Sequence, residues 1–553
     1  MKSIFFTISI ILLSISVFAQ NYSQDSVTEK IKILLEEYPI NKTPGIAISV
    51  VKNGKVVYKS NRGYSNLEHM VPITDSTKFV VGSISKQFTA FLILLLEDEG
   101  RLSIDDDIAK YLPELSGLPY TVTIKHFLNH TSGFRDNTDL NSLKGRTDLD
   151  RTSQSQMVHL LLRQKGLNFI PGSRFQYCNS GYVLLAEIVK RISGKTFAEF
   201  AYERIFEPLD MKNSLFLDDP SLVVKNKALS YGKLHSKYYG IPLNRSVVGS
   251  TGLYTTISDL SFWSDNFYSP QTGSKSIFKK MKTKSHLNNG QIIPYALGQE
   301  LKVYKGLDVI FHGGGDAGYR SYLLRVPEHK LNITVCGNFE SFNPLNISYG
   351  LLDIFLTNYI DEPIRKELPI YTNKDLAQFE GDYQVFPGLY ITILAEQDSL
   401  FFKRYDSYDK LRLSVLGENE FKFPASPHSK FKFTENGLNW HFSDFYYPAK
   451  KVTLNAPMYT DIDLKELTGI YRSNEVETYY EFIIKDSVIV AKHNFNRDVE
   501  LKPIDKGTFI TDLACISRIE FTRNSKGNID GCKISGQNSY DVFFYKSEYN
   551  NCL

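Results

Sequence analysis

Three short strings in this chain carry residue types suited to acyl chemistry. The first is Val81-Gly82-Ser83-Ile84-Ser85-Lys86-Gln87-Phe88. It sets a hydroxyl and an amine three residues apart, one turn along the same face of a helix. Apolar residues follow at Phe88, Phe91, Leu92, Leu95 and Leu96, the spacing of a buried helix face, and Gly100 is a stop after Glu97-Asp98-Glu99. Ser83 therefore opens a buried helix, where free N–H groups and the helix dipole favour a developing anion. A lysine held beside that hydroxyl and away from water loses its proton more easily, or stabilises the alkoxide. The second string, Tyr177-Cys178-Asn179, offers a phenol and a carboxamide on a turn before a helical pattern from Tyr182 to Ile192. The third, His312-Gly313-Gly314-Gly315, follows a strand-like run and sets an imidazole beside bare backbone.

Each string also has a plain reading. Ser83 and Lys86 fit a capping serine with a surface lysine, and S-x-x-K recurs from Ser230, Ser276, Ser407 and Ser429. Only Ser83 has a long apolar helix face behind it. Y-x-N recurs from Tyr64, Tyr371 and Tyr549, and consecutive glycines can simply serve a turn. Cys178 reads as a small buried filler, not a nucleophile. His126 and His130 share a helix end, but no metal-ligand cluster and no cofactor motif is apparent.

The elements that must position these groups divide the chain. Residues 1–19 read as a secretory signal: Lys2, an apolar run from Ile4, and Val17-Phe18-Ala19 before the cut. Removing it leaves no membrane span, and the expected location is periplasmic or secreted. Residues 24–365 read as strands, then mostly helices, then strands and a closing helix from Leu345 to Tyr359. That order gives a layered α/β or α+β domain, its sheet built from both chain ends around a helical insertion. Asn53-Gly54 between two apolar runs marks a hairpin, Gly249 to Thr256 a small-residue turn, and Ser258-Asp259 a helix start. Residues 371–458 and 462–553 read as two related all-β modules. Leu376-x-x-Phe379-x-Gly381-x-Tyr383 in one matches Leu464-x-x-Leu467-x-Gly469-x-Tyr471 in the other. They are expected to dock a partner or shape substrate access. A net charge of +3 over 553 residues points away from nucleic acid. Five cysteines are too few for a disulfide scaffold, although Cys515 and Cys532 could pair.

Taken in order, Ser83-x-x-Lys86, Tyr177-x-Asn179 and His312-x-Gly314 resemble the active-site motifs of the serine β-lactamase and penicillin-binding-protein superfamily. The class C β-lactamases and their D-Ala-D-Ala peptidase and carboxylesterase relatives are the most alike. His130-Thr131-Ser132-Gly133, Pro171-Gly172 and Gly318-Tyr319-Arg320-Ser321 strengthen the likeness, which runs from Val27 to Tyr359. The resemblance implies a β-lactamase-like serine hydrolase: an antiparallel sheet flanked by helices, acting through an acyl-enzyme on Ser83. Lys86 and Tyr177 manage its proton, and Asn179 positions Lys86 or binds the acyl-side amide. The N–H groups of Ser83 and Gly315 form the oxyanion hole, with His312 and Gly314 beside the substrate. For Tyr177 to act as a base from a solution pKa of about 10, nearby positive charge is needed, from Lys86 and His312. Histidine stands at 312 where the β-lactamases carry lysine, which favours peptide, amide or ester substrates over β-lactams. The alternatives are a β-lactamase and a non-catalytic binding or sensor protein on the same fold.

Overall fold

The computed structural model describes residues 26–38, 43–361, 367–405, 407, 409–423, 426–442 and 445–547. The expected signal at 1–19 lies outside them. Among the described residues no helix is long and apolar enough to cross a membrane.

A six-stranded antiparallel sheet organises the first part. Its strands are β1 (Ile46–Lys52), β2 (Lys55–Arg62), β3 (Glu300–Tyr304), β4 (Leu307–Asp316), β5 (Tyr319–Val326) and β6 (Leu331–Gly337). They lie in the order β3-β4-β5-β6-β1-β2, so the two ends of this first part do meet in one sheet. Asn53 and Gly54 both take positive φ, 51° and 73°, as a tight hairpin between β1 and β2 requires. Two-residue alternation divides the sheet faces. Ile46, Ile48, Val50, Leu324, Ile333 and Val335 pack on one side, with the helical residues 26–34 (α1). Ala47, Leu323 and Cys336 face the other side, with the helical insertion.

That second core centres on α2 (Ser85–Asp98), whose residues from Ser85 to Leu96 are all buried. Across it lies α3 (Asn179–Ser193), closed by Gly194 at φ 75°. Helix α4 (Ile257–Asp265) is capped by Thr256, not by Ser258-Asp259. The Thr256 side chain accepts from the Asp259 N–H, so Asp259 sits inside the first turn. The small-residue stretch before it contains a short strand, Leu253–Thr255, pairing with Phe79–Val80 just ahead of Ser83. Helix α5 (Pro344–Phe355) closes this part against β5 and β6.

The C-terminal part forms two nine-stranded, barrel-like sheets. One runs from Gly381–Phe386 to Phe445–Val452, the other from Gly469–Ser473 to Val542–Lys546. In both, the first strand pairs with the second and with the last, giving the same order throughout. The sequence repeat has a physical basis. The Tyr383 hydroxyl donates to the Phe379 carbonyl at 2.8 Å, and Tyr471 donates to Leu467 at 3.0 Å. Each tyrosine ties the opening helical turn to the first strand. The cores differ, however. The first module has its own, whereas Leu464, Tyr471, Phe482 and Phe544 of the second are continuous with the core around α2. Cys515 and Cys532 are free buried thiols and do not pair.

Candidate active site

Strand β3 ends opposite Phe311, so residues 312–316 of β4 lack a strand neighbour on that edge. The turn Gly82–Ile84 packs there instead. Two glycines allow this approach. A Cβ on Gly314 would sit 2.0 Å from the Val81 carbonyl oxygen, and one on Gly82, at φ 52°, would sit 2.7 Å from the Gly315 nitrogen. The glycine run is thus strand, not the turn after one, and its bareness lets the Ser83 turn touch β4. Gly315 itself is exposed, and a Cβ there would make only ordinary contacts with Arg320.

Lys86 reaches from α2 into this junction. Its Nζ donates to Ser83 Oγ at 3.1 Å, Asn179 Oδ1 at 2.8 Å and the Ser250 carbonyl at 2.9 Å. The rings of Tyr177 and Tyr182 stand 4.8 and 5.5 Å away. The side chain is fully buried. Burial lowers its pKa from 10.5 to about 7, against the upward pull of Asp136. Asn179 is the first residue of α3, and Cys178 stands at its cap.

Tyr177 lies beside Ser83. Its ring packs on the buried His130 imidazole, with centroids 4.1 Å apart. Its hydroxyl is buried beside Ser83 without meeting hydrogen-bond geometry to any described group. Burial pushes the phenol well above its usual range, so Tyr177 is protonated near neutrality. His312 does not supply the positive charge expected of it. Burial and the nearby Lys86 push its pKa to about 3, so the ring is neutral. Nδ1 lies 2.6 Å from the Gly313 carbonyl and so is the donor there. Nε2 then accepts from the Tyr295 hydroxyl at 3.1 Å. The Cys178 thiol is buried, approaches the Phe134 carbonyl at 3.3 Å, and burial raises its pKa to about 12. It is packing, as expected from sequence.

The structure therefore brings Ser83, Lys86, Tyr177, Asn179, His312, Gly314 and Gly315 to one place. It adds three residues that sequence reading missed. Asp136 caps the helix Asn137–Leu143, and its Oδ2 accepts from the Asn179 N–H at 2.8 Å. Tyr295 is fully buried against His312. Ser250 offers its carbonyl from the Gly249 turn, where a Cβ on Gly249 would meet the Tyr182 carbonyl oxygen at 2.2 Å. An aspartate ahead of Asn137-Thr138 was a readable cap signal, and the small-residue turn holding Ser250 was readable too. Tyr295 carried no signal. Beyond Gly315, Asp316 accepts from Arg245 and Thr251, tying β4 to that same turn. No cluster of three or more metal-ligating side chains occurs among the described residues. A half-buried hydroxyl next to an amine that sheds its proton near neutrality, with a protonated phenol opposite, can attack a carbonyl and protonate what leaves.

Comparison with known proteins agrees with this geometry. The Beta-lactamase family matches residues 32–348. A D-aminopeptidase from Brucella anthropi is 24% identical over 507 residues, covering 89% of this chain and 93% of its own length. Penicillin-binding protein 4* of Bacillus subtilis is 27% identical over 411 residues, covering 70% of this chain and 88% of that one. Among solved structures, the octameric penicillin-binding protein homologue from Pyrococcus abyssi matches with a TM-score of 0.54 at 24% identity, over 86% of this chain and 99% of that chain. At that identity the likeness speaks for the fold.

Proposed function

The chain belongs to the beta-lactamase family of serine hydrolases, and from that premise we propose that it cleaves a peptide or amide bond whose acyl part is a D-amino acid. One observation carries the reaction: the buried Lys86 amine, at about 7, lies 3.1 Å from Ser83 Oγ. The substrate class rests on the D-aminopeptidase relative, whose likeness covers 89% of this chain. Lys86 takes the Ser83 proton as Oγ bonds to the carbonyl carbon. The N–H groups of Ser83 and Gly315 hold the oxyanion, where losing one donor costs about 3 kcal/mol. As the C–N bond breaks, Tyr177 gives its proton to the departing amine and is reprotonated from Lys86. Water then attacks the acyl-enzyme by the same route in reverse. A neutral His312 offers an anionic substrate no charge, which disfavours β-lactam carboxylates. We place the protein outside the cytoplasm, after removal of residues 1–19; the mature N-terminus of the secreted protein, read by mass spectrometry, tests this.

The deciding experiment is a panel of D- and L-alanine p-nitroanilides, a D-Ala-D-Ala peptide, p-nitrophenyl esters and nitrocefin. Cleavage of the D-anilide ahead of the L-form, abolished in Ser83→Ala, is the expected result. Nitrocefin turned over faster than every amide would make it a β-lactamase instead.

A further inference from the structure

The second β module reaches the catalytic groups through one loop, between its last two strands. The Asp136 N–H donates to the Asn538 carbonyl at 3.0 Å, and the Asp136 carbonyl accepts from Ser539 Oγ at 3.2 Å. Both backbone groups of Asp136 thus meet the loop, and its carbonyl also accepts from the Leu140 N–H at 3.1 Å. The Asp136 carboxylate in turn holds the Asn179 N–H, and Asn179 holds Lys86. Beside it, Gln176 Nε2 donates to Asn538 Oδ1 at 2.8 Å and to the Tyr540 hydroxyl at 3.0 Å. Gln176 immediately precedes Tyr177, and its own N–H is tied to the His130 carbonyl beneath that ring. Arg135, 3% exposed, fixes the same loop. Its Nε donates to the Tyr540 carbonyl at 2.8 Å, its Nη2 to Asp541 at 2.9 Å, and its Nη1 pairs with Glu475 at 2.6 Å. The shared core described above puts a packed wall behind these bonds.

We propose that the Asn538-Ser539-Tyr540 loop is a working part of the hydrolase site, with Asn538 and Ser539 as positioning residues for Lys86 and Tyr177. They act through Asp136 and Gln176 and touch no substrate. Loosening Asp136 lets its carboxylate move away from Lys86, whose pKa then falls further. Loosening Gln176 lets the Tyr177 hydroxyl drift from Ser83, and misplacement of that kind costs reaction rate before it costs binding.

This rests on the reading of Ser83 as nucleophile, so the test reads Ser83 directly. The rate of Ser83 modification by a fluorophosphonate is measured against pH in the full chain. Asn538→Ala combined with Ser539→Ala is expected to slow it about tenfold and to move its acid limb to lower pH. The single variant Asn538→Asp, which keeps the acceptor for Gln176, is expected to be modified faster than Asn538→Ala. Glu477→Ala removes contacts to Lys144, His159 and Arg163 at the same interface and is expected to leave rate and limb unchanged. Should the double variant lose its near-ultraviolet circular dichroism, Ser539→Ala alone carries the test. A folded variant with the wild-type rate and limb overturns the positioning role. A wild-type protein that is not modified at Ser83 overturns instead the reading beneath it.

Discussion

Replacing Lys86 by methionine, which has a similar volume, separates what this lysine does for catalysis from what it costs the fold. Burial takes the amine from 10.5 to about 7, which corresponds to about 5 kcal/mol in favour of its neutral form. Below pH 7 the folded and unfolded chains both carry the proton, and the penalty is fully present. Between the two values the unfolded chain keeps the proton and the folded one sheds it, so wild-type stability rises by about 1.4 kcal/mol per pH unit. Lys86→Met has no such rise. Its stability relative to wild type should therefore fall by about 2.7 kcal/mol between pH 6 and pH 9. The gap at one pH is not diagnostic, because methionine also leaves Asn179 Oδ1 and the Ser250 carbonyl without the lysine donor, at about 1–3 kcal/mol for each buried acceptor. Groups present in both proteins cancel in the difference, including Asp139, which burial raises to about 7. Denaturant unfolding of the full chain, following the transition that carries the hydrolase part, supplies the numbers. The kcat/KM of wild type should rise with pH through the same value, near 7. A gap that stays flat within about 0.5 kcal/mol, the usual error of additivity, would mean Lys86 keeps its proton throughout, and its role as base would fall.

Asp136→Asn removes the carboxylate that holds the Lys86 pKa up, so the acid limb of kcat/KM should move to lower pH; an unmoved limb refutes the link. Gly314→Ala should cost about 3 kcal/mol in unfolding experiments, the upper end of overpacking, because its Cβ would meet the Val81 backbone carbonyl oxygen at 2.0 Å. Gly315→Ala should leave stability unchanged and raise KM, since its Cβ would enter open substrate space. Tyr471→Phe leaves the buried Leu467 carbonyl without its donor, at about 1–3 kcal/mol, and lies in the core shared with α2. It should lower the temperature at which activity is lost, while Tyr383→Phe, in the separate core of the first module, should not.

Local signals made much of the fold readable. Asn53-Gly54 placed a hairpin, the apolar face after Ser83 placed α2, and the paired Leu-Gly-Tyr strings anticipated two modules of one topology. What escaped was set by tertiary context. In β3 the apolar Val303 is exposed, so alternation there gave no sign of which face was buried. The glycines after His312 allowed a turn as their plain reading because glycine weakens strands, yet the close pass of the Ser83 turn requires them inside one. Tyr295 could not be placed from sequence because only a hydrogen bond folded from a distant segment gives it meaning. The expectation that His312 carries charge failed for a related reason: sequence shows a histidine but not its burial.

Burial fixes the charge state of nearly every group around Ser83 in the same direction. Tyr177 keeps its proton, Cys178 keeps its proton, and His312 stays neutral, since low polarity disfavours each charged form. Lys86, by contrast, is brought by burial to a pKa of about 7. Its balance then depends on burial pushing down and on Asp136 and Asp316 pulling up. Asp316 is anchored within the hydrolase part by Arg245 and Thr251. Asp136 is anchored by Ser539, 403 residues further along the chain. The loop that holds Asp136 thus links the second module to the surroundings of the Lys86 amine, and the first module, with its own core, meets the same loop where Phe386 stacks on Tyr540.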